Sequence, residues 1–231
     1  MLRIITDFDG PIMDVSERYY QVYQFCLARV KNPNQEVKEL SKADFWTLKR
    51  ARVPETEIGT ISGLDLEQAR HFAQLRRQTV HTMPYLSYDR IQPGAREILT
   101  KIREMDIDLV VMTMRRTREL AEAFERYQLH SFFAADRLYC LNDDYIKSND
   151  VADKSLLMAK ALNELPQVAD TWMVGDTEAD IVAAKTHGLK VIGVLSGIRD
   201  REQLLKYQPD HILSNLGEAV ELITAVIPAM T

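Results

Sequence analysis

The stretch Met1–Asp14 reads MLRIITDFDGPIMD, and it decides the fold. Leu2 to Thr6 is a short, apolar run containing β-branched residues. It stops abruptly at Asp7-Phe8-Asp9-Gly10, the pattern of a buried strand that ends in a polar loop. The stretch Thr171–Asp180, TWMVGDTEAD, has the same form: an apolar run, then Gly175 and Asp176, with Asp180 one helical turn further on.

Between and beyond these two stretches, apolar runs alternate with helical patterns. Strands are expected over Asp108–Met112, Arg137–Leu141, Thr171–Val174, Val191–Leu195 and His211–Leu213. Helices are expected over Ala95–Met105, Thr117–Tyr127, Lys154–Leu165, Asp180–His187, Arg199–Tyr207 and Glu218–Ile227. Strand–helix alternation builds a parallel sheet. Residues 15–82 break that rhythm. Tyr19, Tyr20, Val22, Tyr23, Phe25, Cys26 and Val30 recur at helical spacing, and Asn32-Pro33-Asn34 ends the helix. Two more helices are expected over Lys42–Ala51 and Asp65–His81, the latter with Leu66, Ala69, Phe72, Leu75 and Val80 inward. The fold class is therefore α/β: a doubly wound parallel sheet with an inserted all-helical domain. The core takes residues 1–14 and 93–231, and the insertion with its hinges takes 15–92.

Composition narrows the classes of function. The 231 residues are 46% hydrophobic and 27% charged, a soluble composition. No apolar run approaches the ~18 residues of a spanning helix, and no leader pattern opens the chain, so a cytoplasmic protein without a membrane partner is expected. Cys26 and Cys140 are too few for a disulfide framework or a zinc cluster. The net charge of −5 argues against nucleic acid. Residues 15–92 carry 12 Lys+Arg against 9 Asp+Glu, which fits solvated helix faces or attraction of an anionic substrate. Lys49-Arg50-Ala51-Arg52 is the densest basic run there.

Ligands of such sheets bind beyond the carboxyl ends of the strands. Asp7 and Asp9 follow the first strand, Thr113 the second, and Asp176 and Asp180 a later one, while Lys154 opens a helix. Carboxylates gathered this closely require a cation, and hard oxygen donors suit Mg²⁺. Beside a lysine and a hydroxyl, such a metal describes a phosphate site.

DFDGPIMD resembles the first motif of the haloacid dehalogenase-like (HAD) superfamily. Thr113, Lys154 and GDTEAD at 175–180 resemble its second, third and fourth motifs. The helical insertion is similar to the cap of the phosphoglycolate phosphatase-like subgroup. The resemblance covers nearly the whole chain and implies a Rossmann-like core, Mg²⁺, and hydrolysis of a small phosphorylated metabolite through an aspartyl-phosphate, with 2-phosphoglycolate the family-level substrate. It implies Asp7 as nucleophile and Asp9 as general acid and base. It implies Thr113, Lys154 and the Gly10 turn as phosphate ligands, and Asp7, Asp9 (through its carbonyl), Asp176 and Asp180 around the metal. Asp180 would act through water or orient Lys154. A monomer or homodimer is expected.

Alternatives stand beside several of these assignments. Thr113 also suits a helix N-cap, and Lys147 is a second candidate for the phosphate lysine. The chain departs from the family pattern at Pro11, which removes one backbone donor, and at Met114, Arg115 and Arg116 after Thr113. Asp9 argues against carbon–halogen cleavage, because an ester intermediate needs no leaving-group acid. A phosphomutase, or a regulatory protein that kept the fold, are the other readings. No cap motif supports the first, and none of the acids is missing as the second would lead one to expect.

Overall fold

The computed structural model describes residues 1–226. Ile227, the expected end of the last helix, lies outside the described residues. The chain divides into two compact units. The first comprises Met1–Asp14, Ile91–Gly197 and the chain from Arg201; the second comprises Val15–Arg90 with Ile198–Asp200.

The first unit holds a six-stranded sheet of β1 (Leu2–Thr6), β4 (Asp108–Arg116), β5 (Leu138–Leu141), β6 (Asp170–Gly175), β7 (Lys190–Val194) and β8 (His211–Leu213). Short strands β2 (Met13–Asp14) and β3 (Arg90–Ile91) lie where the chain passes between units. The large sheet has the order β5-β4-β1-β6-β7-β8 and every pair in it is parallel. Ile4 pairs with Leu109 on one side and Trp172 on the other. The chain thus starts at the centre, winds outward through β4 and β5, and returns to wind the other way from β6. That reversal places the switch point of the sheet at β1 and its neighbours β4 and β6.

Between the strands run α6 (Ala95–Glu104), α7 (Thr117–Tyr127), α8 (Asp150–Glu164), α9 (Glu178–Thr186), α10 (Arg201–Leu205) and α11 (Leu216–Val226). The fully buried side chains of Ile5, Val110, Met112 and Met173 from the sheet join Met158, Ala161, Ile181 and Ala184 from α8 and α9 in one core. Strand ends and helix starts therefore share a rigid frame.

The second unit contains α1 (Ser16–Val30), α2 (Lys42–Arg50), α3 (Glu55–Ile61), α4 (Leu66–Thr79) and α5 (Met83–Leu86). Its core is aromatic: Tyr23 stacks on Phe45 at 4.7 Å, and Phe72 meets Tyr23 edge-on at 6.0 Å. Asp65 caps α4 in a capping box with Gln68. Two helices here, α3 and α5, go beyond the three that periodicity gives. Leu66, expected inward, is exposed; it is the first residue of α4, before the buried stripe of Ala69, Phe72 and Ala73 begins.

Two corrections bear on the site. The strand expected to stop at Met112 runs on to Arg116, so Thr113 lies within β4 rather than after it. Pairing with β5 resumes at Arg116↔Leu141 past a register shift. The helix expected to open at Lys154 starts four residues earlier, behind an Asn149 cap that accepts the Ala152 N–H at 2.9 Å.

Candidate active site

Three neighbouring strands bring the site together. Asp7 extends β1 by one residue: its N–H donates to the Val174 carbonyl of β6 at 2.8 Å. Thr113 belongs to β4, and Asp176 directly follows β6. Asp180 occupies the third position of α9, where its Oδ2 accepts the N–H groups of Asp176 (3.1 Å) and Thr177 (2.9 Å) and the Thr177 hydroxyl (2.8 Å). Lys154 reaches in from the second turn of α8.

The geometry is that of a buried cation inside a ring of acids. The Lys154 ammonium lies 2.8 Å from Asp7 Oδ2 and also contacts Asp180 Oδ1. Its side chain is 1% exposed. Lys147, the rival lysine, is exposed. Carboxylate oxygens of Asp7, Asp176 and Asp180 lie within 4.8 Å of one another. Three buried acids against one lysine leave surplus negative charge, and the electrostatics register it. Burial pushes the Asp7 carboxyl up to about 7; Lys154 opposes the rise, while Asp180 and Asp9 add to it. Burial alone would lower Lys154, yet Asp180 and Asp7 hold its ammonium above the usual lysine value.

This donor set fits a hard divalent cation. Asp7 and Asp176 bring carboxylate oxygens to one place, and Asp180, whose Oδ2 accepts three hydrogen bonds, is fixed behind them. The backbone is shaped to let the carboxylates lie directly against it. A Cβ at Gly10 or Gly197 would overlap the Asp176 carboxylate, and one at Gly175 would overlap Asp180. Gly10 also has φ +90°, a conformation that only glycine adopts readily.

Gly10 requires a correction. As a phosphate donor its N–H would have to be open, but it donates to the Met13 carbonyl at 2.8 Å inside its own turn. The Phe8 N–H is likewise taken, by Asp7 Oδ1 at 2.6 Å. Gly10 therefore serves the site by the space it leaves. The N-cap alternative for Thr113 also lapses, since α7 begins behind Arg116. The Thr113 hydroxyl oxygen accepts the Arg115 N–H at 3.2 Å.

The Asp9 carboxylate stands outside the acid cluster. It is 25% exposed and pairs with the Arg115 guanidinium, whose Nε and Nη2 lie 2.8 and 2.7 Å from Asp9 Oδ1. Sequence reasoning noted Arg115 only as a departure after Thr113. It also missed Gln92, whose amide donates to the Gly10 carbonyl (3.0 Å) and the Ser196 carbonyl (2.8 Å), tying the loop after β1 to the loop after β7. The alternation of β4, which sets Thr113 and Arg115 on one face, was the signal available for Arg115. Nothing local marks Gln92.

Known proteins give the frame for this constellation. Residues 154–219 match the family model described as HAD-hydrolase-like. A phosphoglycolate phosphatase of Synechococcus elongatus is 23% identical over 98% of this chain and 99% of its own. A pyrophosphatase PpaX of Anoxybacillus flavithermus is 28% identical over 95% of each chain. The solved structure of a haloacid dehalogenase-like hydrolase from Streptococcus pneumoniae superposes with a TM-score of 0.67 at 20% identity, over 96% of this chain and 97% of that one.

Proposed function

We propose that this chain is a HAD-type phosphatase that hydrolyses a small phosphorylated metabolite, with Mg²⁺ as cofactor and Asp7 as nucleophile, a reading supported by the HAD-hydrolase-like match over residues 154–219 and by the phosphatase names of its relatives. The observation that carries the reading is the buried Asp7–Lys154–Asp180 array with Asp176 beside it at the switch point of the sheet.

Asp7 and Asp176, with the Asp9 carbonyl, would hold the metal, and Asp180 would act through water. Bound there, the ion supplies the positive charge that lets an anionic carboxylate approach an anionic phosphate. Asp7 attacks phosphorus, the bond to the leaving oxygen breaks, and an aspartyl-phosphate forms. Asp9 gives the departing alkoxide a proton. It then takes one from the water that attacks the phosphorus of the intermediate, which frees phosphate and restores Asp7. Thr113 and Lys154 stabilise the non-bridging oxygens as charge gathers on them.

The name of the S. elongatus relative makes 2-phosphoglycolate the first substrate to test. The test is phosphate release from p-nitrophenyl phosphate with and without Mg²⁺, followed by a panel of phosphorylated metabolites. Turnover that needs Mg²⁺ and vanishes in Asp7→Asn supports the reading. Metal-independent turnover, or turnover that survives Asp7→Asn, overturns it.

A further inference from the structure

Arg115 is a residue the proposed chemistry does not use, yet it touches three parts of the site. Its backbone N–H donates to the Thr113 hydroxyl at 3.2 Å. Its guanidinium lies over the Phe8 ring, 5.0 Å from the centroid, between the two motif acids in sequence. Two of its N–H groups, Nε and Nη2, converge on a single oxygen of Asp9. The Arg115 side chain is 1% exposed, whereas that of Asp9 is 25% exposed. The fixed partner is therefore the arginine, and the partner facing solvent is the acid. An arginine keeps its charge at any working pH, and burying it is costly unless its hydrogen bonds are met in good geometry. Here Nε and Nη2 both meet Oδ1, so the pair pins that oxygen from two directions.

We propose that Arg115 is a positioning residue for Asp9: it holds the carboxylate in the one orientation from which a proton passes to the leaving oxygen. This rests on the reading of Asp9 as the acid and base of a phosphatase. A carboxylate on a turn, beside solvent, has free rotation about χ1 and χ2. Misplacing a reacting group by ~1 Å costs up to ~10²-fold in rate, and the proton transfer itself is worth ~10²–10⁴-fold. The two N–H groups on Oδ1 remove that freedom.

The experiment compares an alkyl ester, β-glycerophosphate, with p-nitrophenyl phosphate in the full chain with Mg²⁺. The p-nitrophenolate leaving group needs little protonation. Arg115→Met is expected to lower kcat on the alkyl ester by ~10- to 100-fold, with a loss on the aryl ester at least fivefold smaller and KM little changed. Arg115→Lys, which keeps the charge but loses the fork, should fall between wild type and Arg115→Met. Guanidine added to Arg115→Ala should restore part of the alkyl-ester rate. Asp9→Asn should show the same leaving-group dependence, and combining it with Arg115→Met should add little further loss, because both changes remove one function. Equal losses on the two esters, or losses that multiply in the double variant, would overturn the positioning role. If Arg115→Met does not fold, the Arg115→Lys ester comparison decides. A wild type that shows no Mg²⁺-dependent turnover of p-nitrophenyl phosphate removes the phosphatase reading itself, a result separate from any failure of Arg115.

Discussion

Each unit buries an unbalanced cluster of charge, and the two are opposite in sign. In the first unit, acids Asp7, Asp176 and Asp180 gather around one lysine, Lys154. In the second, Lys49 and Arg76 both contact one carboxylate oxygen of Glu55. Burial, with Arg76 and Arg199 nearby, pushes the Lys49 ammonium well below the usual lysine range. The clusters differ in what surrounds the surplus. Aromatic faces absorb the cationic one: Arg76 lies 5.2 Å from the centroid of Tyr19 and 5.9 Å from that of Phe45, contacts that suit guanidinium and ammonium groups. The acidic cluster is packed against glycines, where a Cβ would overlap Asp176 or Asp180, so these carboxylates lie directly on the backbone. A surplus bedded in aromatic rings can be met by the fold. A surplus of three buried acids against one lysine calls for a cation.

Asp7→Asn breaks the acidic half of this comparison most completely. On the proposed mechanism it removes the attacking oxygen and a metal ligand together, so turnover is expected to fall to a trace while the fold survives. Phosphate release alongside the circular dichroism spectrum checks both halves. Asp176→Ala should have the next largest effect, raising the Mg²⁺ concentration needed for activity or abolishing it. Exhaustive chelation should silence the wild type until Mg²⁺ returns. Ca²⁺, larger and looser in geometry, should compete with Mg²⁺ and inhibit. Full activity after chelation would show that the acid cluster works without a metal.

Much of the acidic cluster was legible because its chemistry sits where strands stop. An apolar run broken by an acid marks both a strand end and a site in a parallel sheet, and Asp7 and Asp176 are both of this kind. Lys154 was harder, since its burial and its contact with Asp7 and Asp180, which separate it from Lys147, come from the fold. The cationic cluster was not legible. Tyr19, Lys49, Glu55 and Arg76 come from α1, α2, α3 and α4, and α3 itself was missed. Its sequence, ETEIGTI, contains two threonines and a glycine, poor helix formers, and tertiary packing of Ile58 and Gly59 overrides that preference. The extension of β4 was missed because Arg115 and Arg116 look like the end of a buried run. A charged residue continues a strand when its partner, here Asp9, lies across the turn.

The cationic cluster makes a prediction of intermediate size. Arg76→Met removes a buried cation from Glu55, and breaking a buried pair costs ~3–5 kcal/mol. Because the aromatic faces of Tyr19 and Phe45 accept a methionine well, the loss should lie at or below the lower end of that range. For contrast, Lys42→Met removes the half-exposed pair with Glu17 and should cost under ~1 kcal/mol. Urea denaturation of the two variants checks the ranking, and equal costs would mean that burial of the cluster carries no energetic weight.

The last prediction concerns what the acidic surplus does to stability when no metal is bound. The Asp7 carboxyl is raised from 3.8 to about 7 in the folded protein, chiefly by burial. Between those values the folded state holds a proton that the unfolded state has lost, so stability falls as pH rises through this window. Below it both states are protonated and the carboxyl contributes nothing. Above it both are ionised and the full cost is present, at most about 4 kcal/mol for a shift of this size. Asp7→Asn mimics the protonated acid at every pH. In EDTA it should therefore match the wild type near pH 4, pull ahead steadily up to about pH 7, and keep a constant lead beyond. Mg²⁺ should raise the wild-type melting temperature at pH 8 and narrow the gap, because the cation favours the ionised carboxylate that burial disfavours. A lead for Asp7→Asn that is the same at pH 5 and pH 8 would mean that the Asp7 carboxylate is already neutralised within the fold, and the buried acids would then have no energetic need of a cation.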